Sequence, residues 1–148
     1  MRKPEMHELA TVLFASSIFF TSLVAPDLFA DRIAENPESL YVGYVALVGS
    51  QVNLAIISII VALLLFMTFF TKNYSVRILA NITGIIYTTF ITASYIFNYP
   101  NLALGLLVIM IIWQIYELYQ LIDESEDEKS KKILAKSLKE TEENEEDI

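Results

Sequence analysis

The side chains able to do chemistry in this 148-residue chain are few, and most of them are uncharged. There is one histidine, His7, and no cysteine. Without cysteine, disulfide frameworks, thiolate-held zinc, iron–sulfur clusters and thiol nucleophiles have no raw material. A single histidine ahead of the first apolar run supplies neither a two-histidine haem site nor an HExxH helix nor a His-based triad; it is expected to be a solvated juxtamembrane residue. The glycines Gly43, Gly49, Gly84 and Gly105 stand far apart within apolar runs, so no phosphate-cradling loop exists. A net charge of −8 speaks against a nucleic-acid partner. No catalytic, cofactor-binding or metal-ligating residue is identified, no cofactor is expected, and the chain does not read as an enzyme.

What remains is a set of neutral polar groups at helical spacing. Ala80, Gly84, Thr88 and Thr92 recur every four residues and so share one helix face, with Asn81 and Tyr95 at its border. Small residues at this spacing let a second helix backbone approach closely. Ser17 and Thr21, and Ala46 and Ser50, repeat the spacing earlier in the chain. Asn53 and Gln114 carry amides that hydrocarbon would leave without partners, so each is expected to face the helix of the stripe. Hairpin arithmetic puts Asn53 level with Thr92 and Ala93, and Gln114 level with Gly84, Ile85 and Thr88. The stripe Ala80, Asn81, Gly84, Thr88, Thr92 reads as a packing or partner face. The lesser alternative is that, with Asn53, Tyr95 and Gln114, it lines a water-accessible path.

The elements that must position these groups are membrane spans. Hydrophobic residues make up 55% of the chain, and 16 of its 28 charges lie in the last 26 residues. The other 122 residues hold 12 charges, too few to cover a soluble domain. The expected fold is an all-α integral membrane protein: residues 1–122 form four transmembrane helices in an antiparallel up-down bundle, and residues 123–148 form a charged, partly disordered tail. The spans fall near 9–28, 45–70, 78–97 and 102–122. Residues 40–71 carry no charge over 32 positions. As one helix they would measure about 48 Å, against a hydrocarbon core of about 30 Å, so that run tilts, protrudes or starts with a non-spanning turn. Asn98-Tyr99-Pro100-Asn101 divides the charge-free run from Ile78 to Tyr116. No ionisable residue is expected deep in any span, which argues against ion-coupled carriers working as monomers.

Nine of the ten basic residues fall on one side of these spans, so both termini are expected in the cytoplasm. The compact form and this bias suit a prokaryotic plasma membrane. Tyr41, Tyr44, Tyr95 and Tyr99 cluster at the outer interface, and Phe69, Phe70, Tyr74, Trp113, Tyr116 and Tyr119 at the inner one. A cleaved signal peptide is the rival reading of the first span. Its apolar region is longer than such a peptide needs, and Pro26 would follow the cut awkwardly.

The outer loop 27–39 is a plain connector or a short interfacial helix carrying Leu28, Phe29 and Ile33, with Asn36 capping a helix begun by Pro37. In the tail, five acids precede Lys129, Lys131, Lys132, Lys136 and Lys139, and six acids follow. The lysine block either lies on an anionic inner leaflet or belongs to a helical extension that frays into a disordered acidic end.

The leading expectation is a non-catalytic membrane protein acting by helix–helix association, as an accessory subunit of a larger membrane complex or as a homo-oligomer. The lipid bilayer and a membrane protein, which could be a second copy, are the expected partners. A small homo-oligomeric channel or transport protein is the alternative. A third reading is a membrane-permeabilising protein, since the chain resembles holins in small size, few spans and a charged cytoplasmic end.

Overall fold

The computed structural model describes residues 6–96 and 102–146, without the side chains of His7, Leu40, Leu102 and residues 139–146. The described chain is all-helical: α1 (Met6–Val24), α2 (Leu28–Glu35), α3 (Leu40–Val48), α4 (Gln51–Thr68), α5 (Tyr74–Ile96) and α6 (Leu102–Glu146). Three helices, α4, α5 and α6, are long and apolar enough to cross a membrane. There are up to four if α1 and α2, bent by 83° to one another, count as one span. The most extensive packing is α1 on α4 and α5 on α6, joined by contact between α4 and α5. Leu54, Val61 and Leu65 of α4 meet Tyr87 and Ile91 of α5 and Leu107 of α6 in the core. Large apolar side chains such as Ile60, Leu79 and Ile109 stay exposed, as a hydrocarbon surround requires.

The second span is not one helix from 45 to 70. Gly49 adopts φ +81°, which side-chain-bearing residues rarely do, and its N–H closes α3 on the Val45 carbonyl at 2.8 Å. Ser50 then starts α4, its hydroxyl accepting from the Asn53 N–H at 3.1 Å. The break resolves the length problem: α4, with 18 residues, is by itself long and apolar enough to span, and α3 is a separate short helix.

Two further features have local chemical causes. Residues 28–35 do form a short helix, but Asn36 does not cap a helix begun at Pro37. Its side chain accepts from the Glu38 N–H at 3.0 Å in a turn, and α3 starts after Ser39. In the tail the helical extension is present, and it reaches into the acidic end. Helix α6 runs for 45 residues without interruption to Glu146. No proline occurs in it, its polar half is rich in good helix formers, and Glu128 pairs with Lys132 one turn on at 2.7 Å.

The two interior glycines should therefore respond oppositely to alanine. Gly49→Ala places a Cβ at positive φ and should cost about 1–2 kcal/mol. At Gly84 a Cβ would meet Leu65 at 3.5 Å, an ordinary contact. Gly84→Ala should be neutral or stabilise by up to about 1 kcal/mol. Equilibrium unfolding in mixed micelles measures both.

Candidate functional site: a polar seam between two cavities

The small-residue stripe of α5 faces inward. Ala80, Asn81, Gly84, Thr88 and Thr92 are all buried within the chain. Thr88 and Thr92 each donate to the carbonyl four residues back, to Gly84 at 2.9 Å and to Thr88 at 2.7 Å. That back-bonding keeps hydroxyls satisfied in an apolar surround and leaves a lone pair for other donors. Gln114 of α6 uses it. Its amide nitrogen donates to Thr88 Oγ1 at 3.2 Å and to Thr11 Oγ1 of α1 at 2.7 Å. One side chain thus joins α1, α5 and α6 where only 2% of it is exposed. Its oxygen Oε1 is buried with no hydrogen-bond partner among the described residues, so the clamp is only half satisfied. Nearby, Ser58 of α4 and Tyr87 of α5 share a buried hydroxyl–hydroxyl bond of 2.8 Å.

Gln114 faces the stripe, as expected, but Asn53 does not. Asn53 is exposed, and its amide donates to the Val48 carbonyl at 2.8 Å, closing the break between α3 and α4. The helix interruption at Gly49 turns Asn53 into a first-turn residue of α4, so its polar group serves the backbone beside it.

At the α2 end, Gln51 carries out a task the sequence does not advertise. Its amide donates to the carbonyls of Ala25 at 2.6 Å and Ser22 at 3.3 Å, the last turn of α1, and accepts from the Phe29 N–H at 3.0 Å, the first turn of α2. Pro26 ends α1 and has no N–H of its own, so a bend there exposes backbone groups that need partners. The first residue of α4 supplies them. Phe29 then packs on Tyr41 and Tyr44, with ring centroids 4.9 and 5.6 Å apart. Below these rings lies a cavity of about 140 Å³, walled by Phe14, Ser17, Thr21, Tyr44 and Tyr95 among others. Tyr95, half-buried, therefore belongs to this cavity and not to the Gln114 clamp.

The opposite end holds charges. Glu8 of α1 is 3% exposed and Arg77 of α5 is 9% exposed. With Asn81 and with Glu117, Gln120 and Glu124 of α6 they line a polar cavity of about 20 Å³, room for about one water. Arg77 also lies over the Tyr74 ring, 5.4 Å from its centroid, and the Trp113 indole donates to Glu117 at 3.1 Å. Glu8 and Arg77 stand just ahead of the expected spans, yet packing within the chain buries both. Glu8, Arg77 and Glu117 sit at the margins of the apolar runs, where a charge reads as a flank. Helix packing buries Glu8 and Arg77 and leaves Glu117 half-buried beside them. Among the described residues no group of acids and histidines is arranged to hold a metal ion.

Lys129, Lys131, Lys132 and Lys136 are exposed along α6, while the Lys139 side chain, like that of His7, lies outside the described residues. Tyr99 lies outside them too. Chemically the seam is a stack of amides, hydroxyls and one charged cluster, with Gln114 standing between the two end cavities. It binds helices to one another.

The two glutamines should differ when replaced. Gln51→Leu takes a partner from three backbone groups at the α1–α2 bend, of which the Ala25 carbonyl keeps the Leu28 N–H at 3.1 Å, and should cost about 2 kcal/mol. Gln114→Leu leaves two threonine hydroxyls, of which Thr88 is already bonded to a carbonyl, and should cost about 1 kcal/mol. Unfolding titrations of both variants in the same micelles give the comparison. No protein-family model matches this chain, nor does any curated protein or solved structure compared with it.

Proposed function

We propose that this is a non-catalytic membrane subunit working by helix–helix association, with α6 as its contact element. In this reading α1, α4, α5 and α6 cross the bilayer alternately as a four-helix bundle. Both termini lie in the cytoplasm of a prokaryotic cell, an orientation supported by the basic-residue bias. The observation that carries the proposal is uneven burial. In the most apolar stretch of α6 only 17% of residues are buried, against 44% for α4 and 39% for α5. Leu106, Ile109, Ile112, Ile115 and Tyr119 are exposed along it. The small-residue stripe of α5 is already occupied inside the chain, so a partner would meet α6.

The part of α6 beyond the apolar stretch favours a different protein over a second copy. Two parallel copies would set lysine block beside lysine block and acid block beside acid block, which repel. Exposed Ile133, Leu134 and Leu138 give a non-identical partner an apolar seam between those charges. Photo-crosslinkers at Ile109, Ile112 and Ile115 in native membranes, read by mass spectrometry, should yield one defined hetero-complex. Equivalent probes at Val52 and Ile56 of α4 should yield lipid. Crosslinks from α6 only to lipid or to another copy would overturn the proposal.

A small transport protein is the second reading, favoured by the presence of a cavity at each end of the polar seam. Because Asn81, Thr88, Thr92 and Gln114 are buried within one chain, a path would run through a single molecule and not between copies. Gln114→Ala would then raise solute flux in liposomes several-fold over the parent. No flux from either protein under any gradient would remove this reading.

A further inference from the structure

The turn between α4 and α5 faces the first turns of α6 beyond its apolar stretch across a cavity of about 270 Å³. Lys72, Tyr74 and Ser75 wall one side, and Ser125, Lys129 and Lys132 the other. Ser125, Lys129 and Lys132 follow i, i+4, i+7 spacing, so one stripe of α6 is turned toward the loop. Glu128 is the one acid on the wall, and it is engaged with Lys132 at 2.7 Å. Three lysines against one glutamate leave the lining two positive charges in excess. The N-terminal turn of α5 opens here as well, with Asn73 Oδ1 accepting from the Ser75 N–H at 3.0 Å.

A second cavity lies further along the same face of α5. This groove between α4 and α5 encloses about 210 Å³ and is walled by Ile57, Val61, Thr83, Ile86, Tyr87 and Phe90. Ser75, Leu79, Ile82 and Ile86 stand at i, i+4, i+7 and i+11, so a single helix face leads from the lysine cavity to the groove. Leu79, Ile82 and Ile86 are exposed along that route. The rise from Ser75 to Ile86 is about 16 Å. Half of a hydrocarbon core of about 30 Å is about 15 Å. The groove therefore begins near the depth that the acyl chain of one leaflet reaches.

We propose that these two cavities hold one anionic phospholipid, its phosphate among Lys72, Lys129 and Lys132 and an acyl chain along the α5 face into the groove. The excess positive charge selects a headgroup with net negative charge over a zwitterionic one, whose ammonium it would repel. A free phosphate could share the lysines but would have no use for the groove. The reading needs only that α4, α5 and α6 lie in a bilayer, so it stands apart from the identity of any protein partner.

The test is native mass spectrometry of the full-length protein released from nanodiscs holding equal phosphatidylglycerol and phosphatidylcholine. One phosphatidylglycerol should be retained per chain in preference to phosphatidylcholine. Each of Lys72→Gln, Lys129→Gln and Lys132→Gln should weaken that preference roughly fivefold. The pair Lys131→Gln and Lys136→Gln, off the cavity wall, should leave it unchanged. Ile86→Phe, which narrows the groove, should reduce lipid retention with the lysines intact. Equal retention of both lipids, or equal loss from the off-wall pair, would overturn the proposal. So would displacement of the lipid by millimolar inorganic phosphate, which would mark a phosphate site alone. The three lysines are exposed, so circular dichroism should find every variant folded.

Discussion

A helix that stops inside or near hydrocarbon leaves carbonyl and amide groups with no water to bond, and this structure is organised around meeting that demand. It has two such stops close together, at Pro26 and at Gly49. Gln51 covers the first from across the fold, joining the end of α1 to the start of α2. Ser50 and Asn53 cover the second from within their own turn. Because Gln51 begins α4, the bend that folds α2 back and the position of α4 are a single arrangement. The aromatic cavity under Phe29 and Tyr44 exists only while that arrangement holds.

Deeper in the chain the same rule operates on side chains. Thr88 bonds its own backbone first and then lends a lone pair to Gln114, which also reaches Thr11 and so links three helices. Individual bonds of this type contribute little in membranes. Their value is directional: leucine packing alone tolerates several rotations of α6, whereas the amide reaches Thr11 and Thr88 together in one. Below it, the charged cluster of Glu8, Arg77 and Glu117 repeats the pattern, one turn away on α1 and α6 and three turns away on α5, with each helix again contributing a side chain.

Much of this was legible in the residues. The apolar runs mark the helices, and counting along the hairpin puts Gln114 opposite Gly84 and Thr88, where it is found. The count failed for Asn53 because it assumed a continuous helix through Gly49, and a single positive φ there changes both the face and the role of the residues after it. Gln51 escaped notice because a polar residue beside a Gly-Ser pair reads as an ordinary helix start. Its three partners are 22 to 29 residues away, a separation that no local pattern records. Glu8 and Arg77 read as flanking charges for a related reason: their burial depends on which helices meet there, and hydropathy along one stretch of sequence carries no information about neighbours. The persistence of α6 beyond residue 122 follows from helix propensity, since that stretch holds no proline or glycine.

The unbroken course of α6 gives the molecule mechanical leverage. From Asp123 to Glu146 the helix extends about 36 Å past its apolar stretch, with no proline or glycine at which it could flex. A spanning helix adjusts to bilayer thickness by tilting, commonly by about 20°. An angular change of that size, pivoting at the membrane surface, would sweep the far end of a straight rod sideways by about 12 Å. For a helix of this form crossing a bilayer, small differences in lipid thickness would become large displacements of the acidic end, with no moving joint required.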